Sequence, residues 1–291
     1  MARSQKIPAL SIIIPTLNEA DHLPLLLADL NEWPYNFELI IVDGGSIDLT
    51  ISIAQIQGID VIKSSKKNRG YQLKTGASNA RGDWLLFLHA DSRLSPSWFK
   101  SLSQIIQNKK SENFAWYFDF KIKKHNLEFR FLEIAVALRS HFLQHPYGDQ
   151  GLLIHKDLYS KTGGYSSLKI MEDIDLITRI TKKTKVKRIR ENIYTDDIKW
   201  SDTNIIKRAI KNARLRKKWR QGYDIDNLSK DIPSPFNASV KPLKSARLNN
   251  FAKPGAWLSL KFSISRFDEF LFLLVFDVKN KFPPSKPSKN S

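Results

Sequence analysis

Short, unbroken apolar runs, each followed by a helix-like stretch, constrain this chain more than any other feature of its sequence. Leu10–Ile14, Leu39–Val42 and Trp84–Leu88 are such runs, and Asp60–Ile62 is a weaker fourth. Runs without polar alternation mark strands buried on both faces of a parallel sheet. Glu19–Leu30, Leu49–Gln57, Gln72–Ala80 and Trp98–Gln107 read as the helices that follow them. Four such units in succession imply an α/β protein with a doubly wound or nucleotide-binding sheet. Phe114–Ile122 alternates as another strand. Leu127–Phe142 predicts an amphipathic helix with Phe131, Ile134, Ala135, Leu138 and Phe142 on one face.

Beyond Asp149 the pattern changes. Gly151–Ile154 reads as a strand, Gly163-Gly164-Tyr165 as a tight turn and Met171–Lys182 as a helix. Thr203–Arg220 predicts a second, very basic helix. Residues 232–255 hold Pro233, Pro235, Pro242 and Pro254 and read as a linker. Residues 256–280 predict an apolar helix, with Leu260, Ile264, Phe267, Leu271, Leu274 and Val278 at helical spacing. The Pro/Ser/Lys-rich tail 281–291 reads as disordered. Cysteine is absent, which excludes disulfides, thiolate nucleophiles and Cys-ligated zinc. No secretory signal or membrane-spanning run is recognisable, so a cytoplasmic protein is expected, with the inner membrane face as a second location.

Charge is unevenly placed. The net charge is +18. Lys182–Arg220 holds 15 Lys/Arg against 4 Asp/Glu, whereas the first 181 residues hold 21 against 19. A near-neutral body with a basic rear half implies an anionic partner for that half. Lys207, Arg208, Lys211, Arg214, Lys217 and Lys218 could lie on an anionic membrane, or form a solvated face of a docked helix.

Several acidic residues stand where an α/β enzyme would place its chemistry. Asp43 and Asp91 follow the second and third apolar runs, and ligands bind at the carboxyl ends of such strands. Either Asp could instead cap a turn. In His89-Ala90-Asp91, two side chains spaced i and i+2 could hold a divalent cation whose other ligands are diphosphate oxygens. An imidazole ligand suits Mn²⁺ better than Mg²⁺, and His89 could equally be a hydrogen-bonded neighbour of the ligand. Glu172, Asp173 and Asp175 open a helix, where acids also serve as caps.

Taken in order, these residues form a pattern. Ser11-Ile12-Ile13-Ile14-Pro15-Thr16-Leu17-Asn18-Glu19, Val42-Asp43-Gly44-Gly45-Ser46-Ile47-Asp48-Leu49-Thr50, Arg69-Gly70-Tyr71-Gln72, His89-Ala90-Asp91-Ser92, Gly148-Asp149-Gln150-Gly151 and Met171-Glu172-Asp173 run from about Leu10 to Asp173. The pattern resembles the family 2 glycosyltransferases, in particular a bacterial subgroup. The resemblance implies a GT-A fold over residues 7–231: a mixed, mostly parallel sheet flanked by helices, with a helical, basic C-terminal extension. It implies an inverting transfer of a sugar from a nucleotide-diphosphate donor, UDP favoured, to a hydroxyl or carboxyl acceptor, lipid-like acceptors included. Pro15, Asn18, Glu19, Asp43 and Gly44 would line the nucleotide pocket, with Asp43 accepting from the base. Arg69, Lys199 and Trp200 would stand near the diphosphate. Asp91 and His89 would hold Mn²⁺ or Mg²⁺. Asp173, paired with Glu172, would be the general base, and Asp149 and Gln150 would shape the acceptor side.

Two other readings compete. A nucleotidyltransferase on a similar sheet would want a Gly-rich, Lys/Arg-containing loop after the first strand, and Pro15-Thr16-Leu17-Asn18-Glu19 lacks one. A non-catalytic membrane- or nucleic-acid-binding protein would use only the charge, yet no nucleic-acid-binding signature is present and no nucleic acid is expected as a partner.

Overall fold

The computed structural model describes residues 9–123, 127–195, 205–224 and 228. The chain divides into two units, Met1–Arg208 and Ala209–Ser291. The predicted linker, apolar helix and tail, and also Lys199 and Trp200, lie outside the described residues.

The first unit is one eight-stranded sheet with helices on both faces. The strands are β1 (Leu10–Thr16), β2 (Glu38–Asp43), β3 (Val61–Lys63), β4 (Trp84–Phe87), β5 (Arg93–Leu94), β6 (Ala115–Ile122), β7 (Leu152–His155) and β8 (Val186–Thr195). Their spatial order is β3-β2-β1-β4-β7-β6-β8-β5. The β3-β2-β1-β4 half is parallel throughout. β7 runs antiparallel to both of its neighbours, so β6 and β8 point the same way as β4. Helices α1 (Leu23–Leu30), α2 (Thr50–Ile56), α3 (Arg69–Asn79), α4 (Trp98–Gln107), α5 (Leu127–Phe142), α6 (Lys156–Lys161) and α7 (Glu172–Thr181) follow in sequence. The basic helix α8 (Ile205–Arg220) runs across the division between the units.

All seven residues of β1 are buried, as expected of a strand covered on both sides. Its alternate side chains feed two cores. Leu10, Ile12 and Ile14 join Leu23, Leu26 and Leu30 of α1 and Trp98 and Leu102 of α4. Ile13 joins Leu73 and Ala77 of α3 and Leu176, Ile177 and Ile180 of α7.

Two sequence expectations need correction. The buried face of α5 is formed by Phe129, Leu132, Glu133, Ala135, Val136, Arg139 and Ser140. Of the five residues expected there, only Ala135 is buried, and Phe131, Ile134 and Phe142 are exposed. The inward face carries charges that are neutralised internally: Glu133 accepts from the Ile122 N–H and pairs with Lys121 and Arg130. Strand β8 was not foreseen. Its inward residues Val186, Ile189 and Ile193 do not alternate, because the β6–β8 register shifts between Tyr117 and Asp119 and Arg190 takes a φ of 67°.

Candidate active site

The carboxyl ends of β1, β2 and β4 lie on one edge of the sheet, and the loops leaving them are braced against each other. Asn18, at a φ of 55°, receives a hydrogen bond at Oδ1 from the Ile47 N–H, while its own N–H donates to Ser46 Oγ. The Glu19 N–H donates to Thr50 Oγ1 and the Ala20 N–H to Asp48 Oδ2. Much of the motif Val42–Thr50 therefore works to fasten the β2–α2 loop to the β1–α1 loop. Pro15 is buried within β1 and Glu19 contacts His22.

Asp43 is engaged within its own loop. Oδ1 accepts from the Gly45 and Ser46 N–H groups, and Oδ2 from Thr16 Oγ1 and Ser46 Oγ. Those four donors fill the acceptor sites of a carboxylate. The side chain is 1% exposed and serves as the turn-holding residue of the loop.

Gln72 was quoted in a motif but given no role by sequence reasoning. Buried on α3, it donates through Nε2 to the Thr16 and Val42 carbonyls, at 2.9 and 2.8 Å. One side-chain amide thus bridges the last turns of β1 and β2, directly beneath Gly44. The signal in the sequence was a polar residue among the apolar positions of an inward helix face.

The N-terminus of α3 meets the start of α7 across the 166–168 loop. A Cβ on Gly70 would stand 2.3 Å from the Ser166 carbonyl oxygen and 2.7 Å from that of Leu168, so only glycine permits this approach. Asn68 caps α3 by accepting from the Tyr71 N–H and ties down the loop by donating to the Ser167 carbonyl. This seam aligns Arg69 with Glu172, and the two form an ion pair. Burial pushes the Glu172 carboxyl up, with Arg69 opposing and Asp173 adding to the shift. Its Oε2 is sealed from solvent with no hydrogen-bond partner among the described residues. Desolvation disfavours the Arg69 cation, but Glu172 and Asp173 outweigh it and raise its pKa.

Met171, which precedes α7, has a φ of 63°. A left-handed turn is costly for a long side chain, and such strain concentrates at functional sites. It brings Asp173 to the short 3-10 turn Gly148–Gln150. Asp173 Oδ2 accepts from the Gly148 N–H and Oδ1 from the Ile174 N–H, each at 2.8 Å. Two backbone donors hold the carboxylate, and each oxygen keeps acceptor capacity. Gly148 is pressed between the loop that follows β4 and the first turn of α7: a Cβ there would be 2.9 Å from His89 Nε2 and 3.3 Å from Asp173 Oδ2.

Asp149 completes the cluster. Burial pushes its carboxyl up to about 6, Arg139 opposes the shift, and the charges of Asp173 and Asp91 add to it. Its Oδ1 is sealed without a hydrogen bond among the described residues. Asp91, Asp149, Glu172, Asp173, Arg69 and His89 thus share one edge of the sheet. Gln150 does not join them. It is 1% exposed, accepts from Ser140 Oγ and Arg139 Nη2, and donates to the Phe118 carbonyl, so it anchors the turn from behind.

No group of three or more His, Asp or Glu side chains able to hold a metal occurs among the described residues. A cage made by protein alone does not fit. A cation held by Asp91 and His89, with the remaining positions supplied by diphosphate oxygens and water, does fit the donor set.

Residues 11–152 match the model of glycosyl transferase family 2. An uncharacterized glycosyltransferase of Haemophilus influenzae is 28% identical over 60% of this chain and 62% of its own length. A PGL/p-HBAD biosynthesis glycosyltransferase of Mycobacterium bovis is 43% identical over 30% of this chain and 37% of its own. The chain therefore spans less than two thirds of these relatives. Among solved structures, a mannosyltransferase from Pyrobaculum calidifontis, in complex with GDP-Man and Mn²⁺, superposes with a TM-score of 0.54 at 16% identity, covering 78% of this chain and 70% of that one. TarS 1-349 of S. aureus superposes with a TM-score of 0.52 at 17% identity, over 65% and 60%. These likenesses establish the GT-A fold.

Proposed function

We propose that this chain, whose residues 11–152 belong to glycosyl transferase family 2, moves a sugar from a nucleotide-diphosphate donor to a hydroxyl or carboxyl acceptor with inversion. The observation that carries this reading is the meeting of Asp91, Asp149, Glu172, Asp173 and Arg69 at the carboxyl edge of the sheet. Four of these groups have distinct tasks. The acceptor oxygen attacks the anomeric carbon, the bond to the diphosphate oxygen breaks, and Asp173 takes the acceptor proton. Its two backbone hydrogen bonds fix the carboxylate in one orientation for that transfer. Arg69, held by Glu172, presents positive charge towards the departing diphosphate. A divalent cation bound by Asp91 and His89 would supply Lewis-acid stabilisation of the same leaving group. The P. calidifontis mannosyltransferase, solved in complex with GDP-Man and Mn²⁺, supports a donor and a metal of this kind.

UDP is the donor nucleotide we favour. Lys199 and Trp200 remain proposed diphosphate contacts, and Asn18, Glu19 and Gly44 proposed nucleotide contacts. The proposal is tested by incubating the protein with a panel of nucleotide sugars and Mn²⁺ and measuring release of the nucleoside diphosphate. Release by wild type with at least one donor, and its loss in Asp173→Asn, is the expected outcome. Equal release by the two proteins would remove Asp173 as the base.

A further inference from the structure

We infer that the opposite edge of the sheet carries a second ligand site, a groove for a phosphate-bearing anion. It goes beyond the proposed transfer reaction and does not depend on it. The groove, of about 520 Å³, is lined by Phe114, Thr181, Lys182, Lys183, Lys185 and Lys187, together with Thr184. It lies where α7 turns into β8 and where β6 begins. Because β6 and β8 run parallel to β4, their first residues lie at the sheet edge away from Asp91. The groove and the carboxylate cluster therefore occupy opposite ends of the strands.

Four lysines fall within six consecutive positions, and no described acidic side chain forms an ion pair with Lys182, Lys185 or Lys187. Like charges that line one groove repel one another, and an anion seated among them would offset that cost. Two of the lysines are braced from below. Lys183 donates to the Lys161 carbonyl, and Lys187 Nζ stands 3.3 Å from the centre of the Phe114 ring. The nearby acid Glu112 is engaged with Lys109, and stands 3.9 Å from His155. Thr184 fixes the turn by donating through Oγ1 to the Asn113 carbonyl.

The chemistry selects the ligand class. Lysine offers compact point charges, which suit an anion that carries several negative oxygens and spreads its charge over the cluster. Phosphate esters and diphosphates meet that description. The phosphate could belong to a lipid headgroup or to a soluble molecule.

The test uses the full chain, wild type and Lys182→Ser/Lys185→Ser/Lys187→Ser, with Lys74→Ser/Lys100→Ser/Lys123→Ser as a control of equal charge change at exposed lysines outside the groove. One arm titrates inorganic tripolyphosphate by calorimetry. The other measures cosedimentation with phosphatidylcholine vesicles containing or lacking phosphatidic acid. Far-UV circular dichroism confirms that each variant is folded. The groove variant should lose at least tenfold in affinity in whichever arm wild type binds, and the control no more than about threefold. Binding confined to vesicles assigns the phosphate to lipid, and binding of tripolyphosphate alone assigns it to a soluble anion. Equal losses in the two variants, or no binding by wild type in either arm, would overturn the groove as a site.

Discussion

At the scale of single residues, Asp173 and Gln72 separate chemistry from support. Asp173→Asn keeps an acceptor for the Gly148 N–H but removes the base, so turnover should fall by about 10²- to 10⁴-fold while nucleotide binding persists. Steady-state rates with parallel binding titrations check this split. Gln72→Ala removes a donor from two buried carbonyls, of which that of Thr16 keeps the Gly44 N–H, and the expected loss is about 1–3 kcal/mol in urea unfolding. Because those carbonyls end β1 and β2, the donor KM should rise more than kcat falls. Glu133 gives a pH signature. Burial works against its ionised form, but the Ile122 N–H, Lys121 and Arg130 prevail and hold its pKa below the ordinary 4.5. A carboxylate depressed in the folded state stabilises the protein above its unfolded pKa, and that contribution disappears as pH falls through the folded value. Glu133→Gln should therefore lower Tm at pH 7, and the effect should shrink as pH falls below 4.5 and through the depressed folded value. Asp43 shows the limit of reading residues one at a time: a strand-end carboxylate signals a ligand contact or a turn, and only its four internal donors reveal the turn.

At the scale of elements, strands sealed on both faces were legible, as were β6 and β7, whereas β8 was not. β1, β2 and β4 bury nearly every residue, so their composition alone declares them. β8 hides because a register shift and a left-handed residue break its alternation. The order of motifs along the chain was sufficient to bring the first turns of α3 and α7 to one edge, but the seam between them rests on backbone contacts that no side-chain pattern encodes. Gly70→Ala tests that seam. Its methyl would press on two backbone carbonyls, and the expected cost is about 1–3 kcal/mol by denaturant titration, with a loss of turnover as Arg69 and Glu172 part. The reassigned face of α5 gives a second test. Leu132→Ala should cost about 2–5 kcal/mol, whereas Phe131→Ser on the exposed side should stay within about 0.5 kcal/mol. The reversed order of these two effects would restore the face that periodicity suggested. Periodicity failed there because Glu133 and Arg139, charged yet inward, interrupt the apolar stripe.

At the scale of the whole molecule, the charge asymmetry and the parallel half-sheet point to different tasks. The sheet collects acidic groups and Arg69 at its carboxyl edge, while lysines accumulate at the other end of the strands. Among the described residues no helix is long and apolar enough to cross a membrane. A ligand that binds only the native state raises the unfolding temperature, so cation-dependent stabilisation by a nucleoside diphosphate reports directly on the carboxyl edge. The decisive measurement is calorimetric titration of UDP and GDP, with Mn²⁺, into wild type and Asp91→Ala. Saturable binding of at least one diphosphate to wild type, weakened at least tenfold by the substitution, is the expected result. Absence of binding by either diphosphate, or the same affinity in both proteins, would contradict a donor site at the ends of these strands.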